Sequence, residues 1–364
     1  MLQRVREGTR VARIGFEVPD RNIHDVTGFC AAEMAIETAN ESLGLPFRIE
    51  LVPLVDNRDP ERARQVAREF CADPAAVGVL GPLNSAMAVA NQDIYHEAGM
   101  AQLTSEASSP LLTSRGYRNF RRLVANDEIQ GRALAQVAVL YLKCQRLAVL
   151  DDATAWGKPI ATVFSGEAER LGTKPLVWSS FGEAEGRLDF DRMVQAVLDA
   201  NPDLVCFAIY WNKAHIIAHK LRYAGLKAVF LGSDALKPFP FLEVPSLDVV
   251  KPYHTLAGVD MRIKPSAQTF FRAFAVRHPM LLVAPQYAAE AYDCASLLVE
   301  ALRRAGTVDR GKVLEELQNL GTFEGTIGTI RFDENGDLVN PHIGLYQCVD
   351  GLRKYVGAVQ DLVR

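Results

Sequence analysis

The sequence predicts an α/β protein of two doubly wound, parallel-sheet lobes, joined by several crossing strands that form a hinge. Three observations predict it. The chain has 364 residues, about twice the usual size of one domain, so two domains are the natural expectation. Short apolar runs alternate with segments of helical period through most of the length, which marks βα units and a parallel sheet covered on both faces. The alternation then starts afresh after Asn126-Asp127, and no linker rich in Pro, Gly or Ser separates the two series.

The elements follow in order. Arg13 to Glu17 reads as a buried strand, and Val26, Phe29, Ala32, Ile36 and Ala39 recur at helical spacing. Arg48 to Val55 is extended, and Pro60 opens a helix at a position where its missing N–H costs nothing. Val77 to Leu80 is a short strand ending in Gly81-Pro82; a helix runs on to Ala98, and Met100 to Leu103 is the next strand. In the second series, Ile129 to Leu142, Lys158 to Leu171, Phe190 to Leu198 and Ala214 to Ala224 read as helices. Arg146 to Leu150, Leu176 to Trp178, Asp203 to Tyr210 and Ala228 to Leu231 read as the strands among them. Beyond Ala257 come helices over Ala267 to Arg277, Pro285 to Arg304 and Arg310 to Leu320, then short strands with a turn signal at Phe332 to Asp337. The lobes expected are 11–126 with 258–337, and 127–257 with 338–364.

Composition excludes several classes. Apolar residues are 49% and charged residues 23%, the balance of a globular protein with ample core. Lys and Arg total 40 against 44 Asp and Glu, a net charge of −4 without a basic stripe, which argues against nucleic acid. Apolar runs such as Met280 to Pro285 fall well short of the roughly 20 residues of a membrane span. Met1 to Arg10 has basic residues but neither an apolar core nor a small-residue cleavage site, so the chain as given shows no secretory signal. A trimmed leader and a protein working inside the cell both fit. Cys30, Cys71, Cys144, Cys206, Cys294 and Cys348 are scattered, with no CxxC pair, and read as small buried hydrophobes.

Signs of catalysis are sparse. There is no P-loop, no GxSxG elbow and no GxGxxG after a strand. His215 and His219 have the spacing of a metal-binding pair, but no Glu stands between them and no third ligand is evident. They read as solvated or capping residues, and neither a metal nor a cofactor is expected. Asp151-Asp152 ends a strand where α/β enzymes keep catalytic acids, yet neighbouring strand residues point to opposite faces, and turn-making is the simpler role. No catalytic residue is expected.

Ligands of doubly wound sheets sit at the carboxyl ends of the strands. Those ends carry Gly81 to Ala86 and Thr104 to Pro110 in the first series, and Ala155 to Gly157, Tyr210 to Asn212 and Gly232 to Asp234 in the second. Hydroxyls and helix-start N–H groups thus collect on the first lobe, suited to an anion such as an α-carboxylate. Aromatics and a carboxylate collect on the second, suited to an ammonium group beside flat apolar walls. A zwitterion would engage both sets. Plainer roles stay open: Ser85 and Ser108 as helix caps, Asp234 as the cap of the next helix, Trp156 as core.

At these residues the chain resembles the type I periplasmic binding proteins of the branched-chain amino-acid (leucine/isoleucine/valine) class, from about Val11 to Cys348. The phrases that carry the resemblance include Gly81-Pro82-Leu83-Asn84-Ser85, Asp127-Glu128-Ile129-Gln130-Gly131, Trp156-Gly157, Phe230-Leu231-Gly232-Ser233-Asp234 and Phe332-Asp333-Glu334-Asn335-Gly336-Asp337, in this order. The resemblance implies a non-enzymatic solute receptor that closes around an amino acid or related polar solute and delivers it to an ABC-importer permease, in the periplasm or outside the cell. It implies that Ser85, Ser108 and the backbone N–H groups of Glu106, Ala107 and Ser108 hold the ligand carboxylate. Asp234 would hold the ammonium, with Tyr210 hydrogen-bonding and Trp156 standing where the family usually has Tyr. Three positions depart from the pattern. Glu106 stands where leucine-type receptors have a small residue, with Arg21 or a second cationic group of the ligand as its partner. The loop Glu17 to Asp25 is shorter and more charged than usual, with Arg21 and His24 in it. Arg58 and Asn84 occupy the positions of a disulfide pair in some relatives. A cytoplasmic or fused ligand-sensing domain of the same fold is the alternative reading, and an α/β enzyme using Asp151, Asp152 and Glu106 is the third.

Overall fold

The structure, a computed structural model, describes residues 10–20, 23–42, 44–181, 187–236, 251–258, 260, 262–283, 286–349 and 352–364. Its contacts divide the chain into two compact units, Met1–Val124 with Gly258–Pro341 and Ala125–Ala257 with His342–Arg364. The chain therefore passes from one unit to the other three times.

The first pass through unit 1 alternates strand and helix: β1 (Arg10–Val18), α1 (Ile23–Ser42), β2 (Phe47–Val55), α2 (Pro60–Ala72), β3 (Ala76–Leu80), α3 (Ser85–Glu97), β4 (Ala101–Thr104), α4 (Leu111–Ser114) and β5 (Phe120–Arg122). The strands form one sheet in the order β2-β1-β3-β4-β5, parallel throughout. Local chemistry sets the helix starts. Asp59 accepts the Arg62 N–H at 2.8 Å and Pro60 follows it, a cap joined to a residue whose φ is already helical.

Unit 2 repeats the scheme with α5 (Asp127–Gln136), β6 (Leu147–Asp151), α6 (Gly157–Arg170), β7 (Val177–Ser180), α7 (Arg187–Ala200), β8 (Leu204–Ala208), α8 (Trp211–Tyr223), β9 (Val229–Gly232) and β10 (Tyr253–Leu256). Asn126 caps α5 by accepting the Ile129 N–H at 3.0 Å. The helix predicted to Leu142 runs as α-helix only to Gln136 and ends in a π-helical turn, Val137–Tyr141, where the Leu142 N–H reaches back to Val137.

The chain then returns to unit 1 with α9 (Gln268–Arg277), α10 (Ala288–Ala305), α11 (Arg310–Gln318) and the short hairpin β11 (Phe323–Gly325) and β12 (Gly328–Ile330). Pro285, the predicted start of the long helix, lies outside the described residues. The last segment belongs to unit 2: β13 (Gly344–Val349), β14 (Leu352–Ala358) and α12 (Val359–Leu362). These two strands add an antiparallel edge to an otherwise parallel sheet, in the order β14-β13-β10-β9-β8-β6-β7. The sequence shows them only as short strands without a partner.

Both sheets are buried on both faces. In β8, Leu204, Cys206 and Ala208 join the core beneath α5 and α6, while Val205 and Phe207 join the core beneath α7 and α8. This is the period-two alternation of a strand with apolar neighbours above and below. In unit 1, Ile14, Phe16 and Ile49 pack with Leu297, Leu298 and Leu302 of α10. On the opposite face Phe70 of α2 lies against Gly15, where a Cβ would come 2.8 Å from its ring. All six cysteines are free thiols; Cys30 and Cys71 are half-buried and the other four are buried.

Candidate functional site

In unit 1 the loops leaving adjacent strands β3 and β4 meet. Gly81 turns the chain at φ 109°, and a Cβ there would stand 2.6 Å from the Glu17 carbonyl oxygen, so glycine is required. Asn84 precedes α3 in an extended conformation without a side-chain cap bond. Its buried Oδ1 has no hydrogen-bond partner among the described residues. Ser85 opens α3, and its Oγ accepts the backbone N–H groups of Ser108 and Ser109, both at 3.1 Å. Thr104 Oγ1, at the end of β4, accepts the N–H of Glu106 at 3.3 Å and of Ala107 at 3.0 Å.

These bonds decide what the loop can offer. A hydroxyl has two lone pairs and one proton. Both lone pairs of Ser85 are taken by amides, so its remaining capacity is a single donated hydrogen, which suits an anion. The amides of Glu106, Ala107 and Ser108, which the resemblance assigns to a ligand, already donate within the protein, the first two to Thr104 and the third to Ser85. Ser85 is therefore not the cap of α3; it is the bolt between two loops. Ser108 and Ala107 are buried beside it, and Glu106 is half-buried in the same loop. Arg21, one partner considered for Glu106, lies outside the described residues, and so does the side chain of His24.

In unit 2 the corresponding residues follow β6, β8 and β9, which are neighbours in the sheet. Trp156 precedes α6 and Tyr210 precedes α8. Their rings lie 4.8 Å apart at a tilt of 38°, a contact range typical of aromatic pairs. Trp156 is buried at 7% exposure whereas Tyr210 keeps 36%. Trp156 thus shares its apolar face with the unit 2 core, and Tyr210 presents the more open ring. Asp234 starts a short 3₁₀ turn after β9 and accepts a 2.7 Å hydrogen bond from Gln130 Nε2 of α5.

The two acids at the end of β6 serve the turn. Asp151 accepts the Ala153 N–H at 2.8 Å, the Trp178 Nε1–H at 2.6 Å and the Ser180 hydroxyl. Asp152 accepts the Thr154 hydroxyl at 2.6 Å and the Tyr210 N–H at 3.3 Å, and Thr154 Oγ1 in turn accepts the Gly157 N–H at 2.9 Å. The chain Tyr210–Asp152–Thr154–Gly157 therefore braces the starts of α6 and α8, and with them the Trp156–Tyr210 pair. His215 donates its Nδ1–H to the Trp211 carbonyl at 2.8 Å. Among the described residues no group of three or more His, Cys, Asp or Glu could hold a metal ion.

Gln130 is the residue that strand-end reasoning missed. It is buried at 1% exposure on the inner face of α5, one turn before the buried Leu134. A polar side chain at an apolar position of the helical period is the signal that could have found it.

Residues 28–351 match the family model described as periplasmic binding protein. The chain belongs to the periplasmic binding protein family. Among its relatives, the leucine-, isoleucine-, valine-, threonine- and alanine-binding protein of Pseudomonas aeruginosa is 28% identical over 322 residues, 87% of this chain and 83% of that protein. A Leu/Ile/Val-binding protein homolog of Brucella melitensis is 26% identical over 328 residues, 90% of this chain and 87% of the relative. A solved leucine-binding protein, LivK of Thermotoga maritima, has the same architecture, with a TM-score of 0.82 at 22% identity over 95% of this chain and 98% of that one. At that identity the likeness speaks to the fold, and the type I periplasmic binding-protein fold expected from the sequence is the fold found. Periplasmic binding proteins are solute receptors and not enzymes, in keeping with Asp151 and Asp152 as turn acceptors. No helix among the described residues is long and apolar enough to cross a membrane.

Proposed function

We propose that this periplasmic binding protein is the solute receptor of an ABC importer and that its ligand is an amino acid. Ser85 and Ser108 take the α-carboxylate, with the 106–108 backbone shaping their loop. Asp234 takes the ammonium through a charge-assisted hydrogen bond, and Tyr210 and Trp156 supply polar and apolar wall. The observation that carries this reading is Ser85: an Oγ whose lone pairs are both occupied can only donate, and an anion is what a lone donor serves. The acid–amide pair Gln130–Asp234 supports the ammonium end, because the Gln130 amide orients a carboxylate that can pair with a cation. The names of the relatives, which bind leucine, isoleucine, valine, threonine or alanine, point to an aliphatic side chain. The permease of the importer is the partner, and the periplasm the compartment.

A thermal-shift panel tests it, with the five amino acids above, the amines lacking their carboxylate and the acids lacking their amino group. A ligand that binds only the folded state raises the melting temperature by mass action. At least one amino acid is expected to do so while its amine and acid analogues do not. Equal stabilisation by the deaminated acid would remove Asp234 from the reading, and no stabilisation by any compound would end it.

A further inference from the structure

The guanidinium of Arg122 is held from three sides, and both of its Nη1–H groups lead to one loop. Arg122 has no exposed side-chain surface. Its Nε–H donates to Asp337 Oδ1 at 2.7 Å, across 215 residues of chain, and Nη2 stands 2.6 Å from the same oxygen in an ion pair. An Nη2–H goes to Thr113 Oγ1 at 3.0 Å. The two Nη1–H groups go to the carbonyl oxygens of Ala107 at 3.2 Å and Ser109 at 2.8 Å. Those carbonyls flank Ser108. In a trans peptide the C=O and the following N–H point in opposite directions. The peptide plane joining Ala107 to Ser108 is therefore held from both sides, by Arg122 on its oxygen and by Ser85 Oγ on its N–H.

Asp337 is itself fixed. Its N–H donates to Asp333 Oδ1 at 3.0 Å, its carbonyl accepts the Asp333 N–H at 2.9 Å, and its Oδ2 accepts the Thr113 hydroxyl at 3.0 Å. The turn that carries it is seated on β5 through the Arg122 N–H, which donates to the Gly336 carbonyl at 3.0 Å. The phrase Phe332 to Asp337, a turn signal in the sequence, thus supplies the counter-charge beneath the loop of the proposed carboxylate seat. Both partners lie close in sequence to points where the chain leaves unit 1, after Val124 and after Pro341.

We propose that the pair of buried Arg122 and half-buried Asp337 is the positioning device of the seryl loop: it holds the 107–109 backbone where Ser108 and Ser109 donate to Ser85, and so sets the direction of the one hydroxyl hydrogen Ser85 keeps for a ligand. The inference deepens the carboxylate-seat reading above and rests on it for its functional meaning. Its structural content stands without a ligand.

The test has two arms on the full chain. In the first, hydrogen exchange is followed by mass spectrometry without ligand in Asp337→Asn and Arg122→Lys, which keep size or charge but lose the fork. Exchange in the peptide covering 105–112 should accelerate at least tenfold, with peptides of β1, β3 and unit 2 unchanged. Unchanged exchange at 105–112, or an equal acceleration through all of unit 1, overturns the proposal. In the second arm L-leucine is titrated calorimetrically. Each variant should weaken binding at least fivefold in the wild-type background and less than twofold in Ser85→Ala, since both act through the same hydroxyl. Equal losses in both backgrounds overturn the positioning role. If the wild type itself does not bind leucine, the ligand reading is what fails, and the exchange arm still decides the role of the pair. Should both variants fail to fold, Thr113→Val removes the hydroxyl shared by the pair, and at least a twofold acceleration at 105–112 is expected; none overturns it.

Discussion

Gln130 donates to Asp234 over 2.7 Å, from the first half of α5 to a turn 104 residues further along the chain. The bond fixes one oxygen of a half-buried carboxylate and gives that acid a preferred orientation before any ligand arrives. Preorganisation of this kind lowers the ordering cost of binding.

The two side chains should therefore differ in what their loss does. Asp234→Ala removes the proposed counter-charge of the ammonium and should weaken amino-acid binding more than about tenfold, as expected for a desolvated charge left unpaired. Gln130→Ala leaves the charge in place and removes one hydrogen bond to it, worth about 1.5–3 kcal/mol in all, of which binding should feel only the part that orients the acid, a smaller loss than that of Asp234→Ala. Calorimetric titration of both variants checks the order. Gln130→Ala weaker than Asp234→Ala would show that Gln130, not the acid, meets the ligand.

Ser85→Ala deletes one donor and the acceptor of two amides. Leaving buried N–H groups unpaired costs about 1–3 kcal/mol each, so unfolding by urea should show a loss of about 2–6 kcal/mol for the two together. Ligand affinity should fall as well. A variant with wild-type stability would mean that the Ser108 and Ser109 amides find other acceptors.

Gly157 lies where Trp156 hands over to α6. A Cβ there would strike Asp152 Oδ1 and come 2.5 Å from the Ala208 carbonyl oxygen, and neither can retreat without moving a strand end. Gly157→Ala should cost about 1–3 kcal/mol, the usual range for overpacking. It should also shift the tryptophan emission, since Trp156 must move away from Tyr210. An unshifted spectrum with normal stability would show that the turn is softer than its bonds suggest.

Asp293 gives a pH prediction. Burial pushes its carboxyl up to about 6, against the Thr326 and Ile327 N–H groups, which pull the other way. The unfolded group titrates near 3.9. Between these values the folded state holds the extra proton, so this group's contribution is fully present below about pH 4 and is lost as pH rises through about 6. The size is roughly 2–3 kcal/mol at 1.36 kcal/mol per unit. Asp293→Asn should flatten the corresponding fall in unfolding free energy between pH 4 and 7, although the variant is less stable overall because its amide faces two N–H donors. An unchanged slope would assign the effect to Asp56, whose carboxyl burial also raises to about 6.

The fold was legible because its signals are local. Buried strands such as Leu147–Asp151 and Leu204–Ala208 announce themselves as apolar runs between helical periods. Strand ends could be read for the same reason, and Ser85, Trp156, Tyr210 and Asp234 were named from them. The antiparallel edge of unit 2 was not legible, because β13 pairs with β10 from about ninety residues away and no local pattern names a partner at that distance.

Sequence alone determined where strands end and which side chains stand there, since periodicity and turn chemistry act over a few residues. Tertiary structure alone decided which hydrogen bonds those side chains make: Ser85 with the next loop, Asp234 with Gln130, Arg122 with Asp337. The physical reason is that a buried polar group must be paired, and its partner is whatever the packed chain brings within 3 Å or so, however far off it lies in sequence.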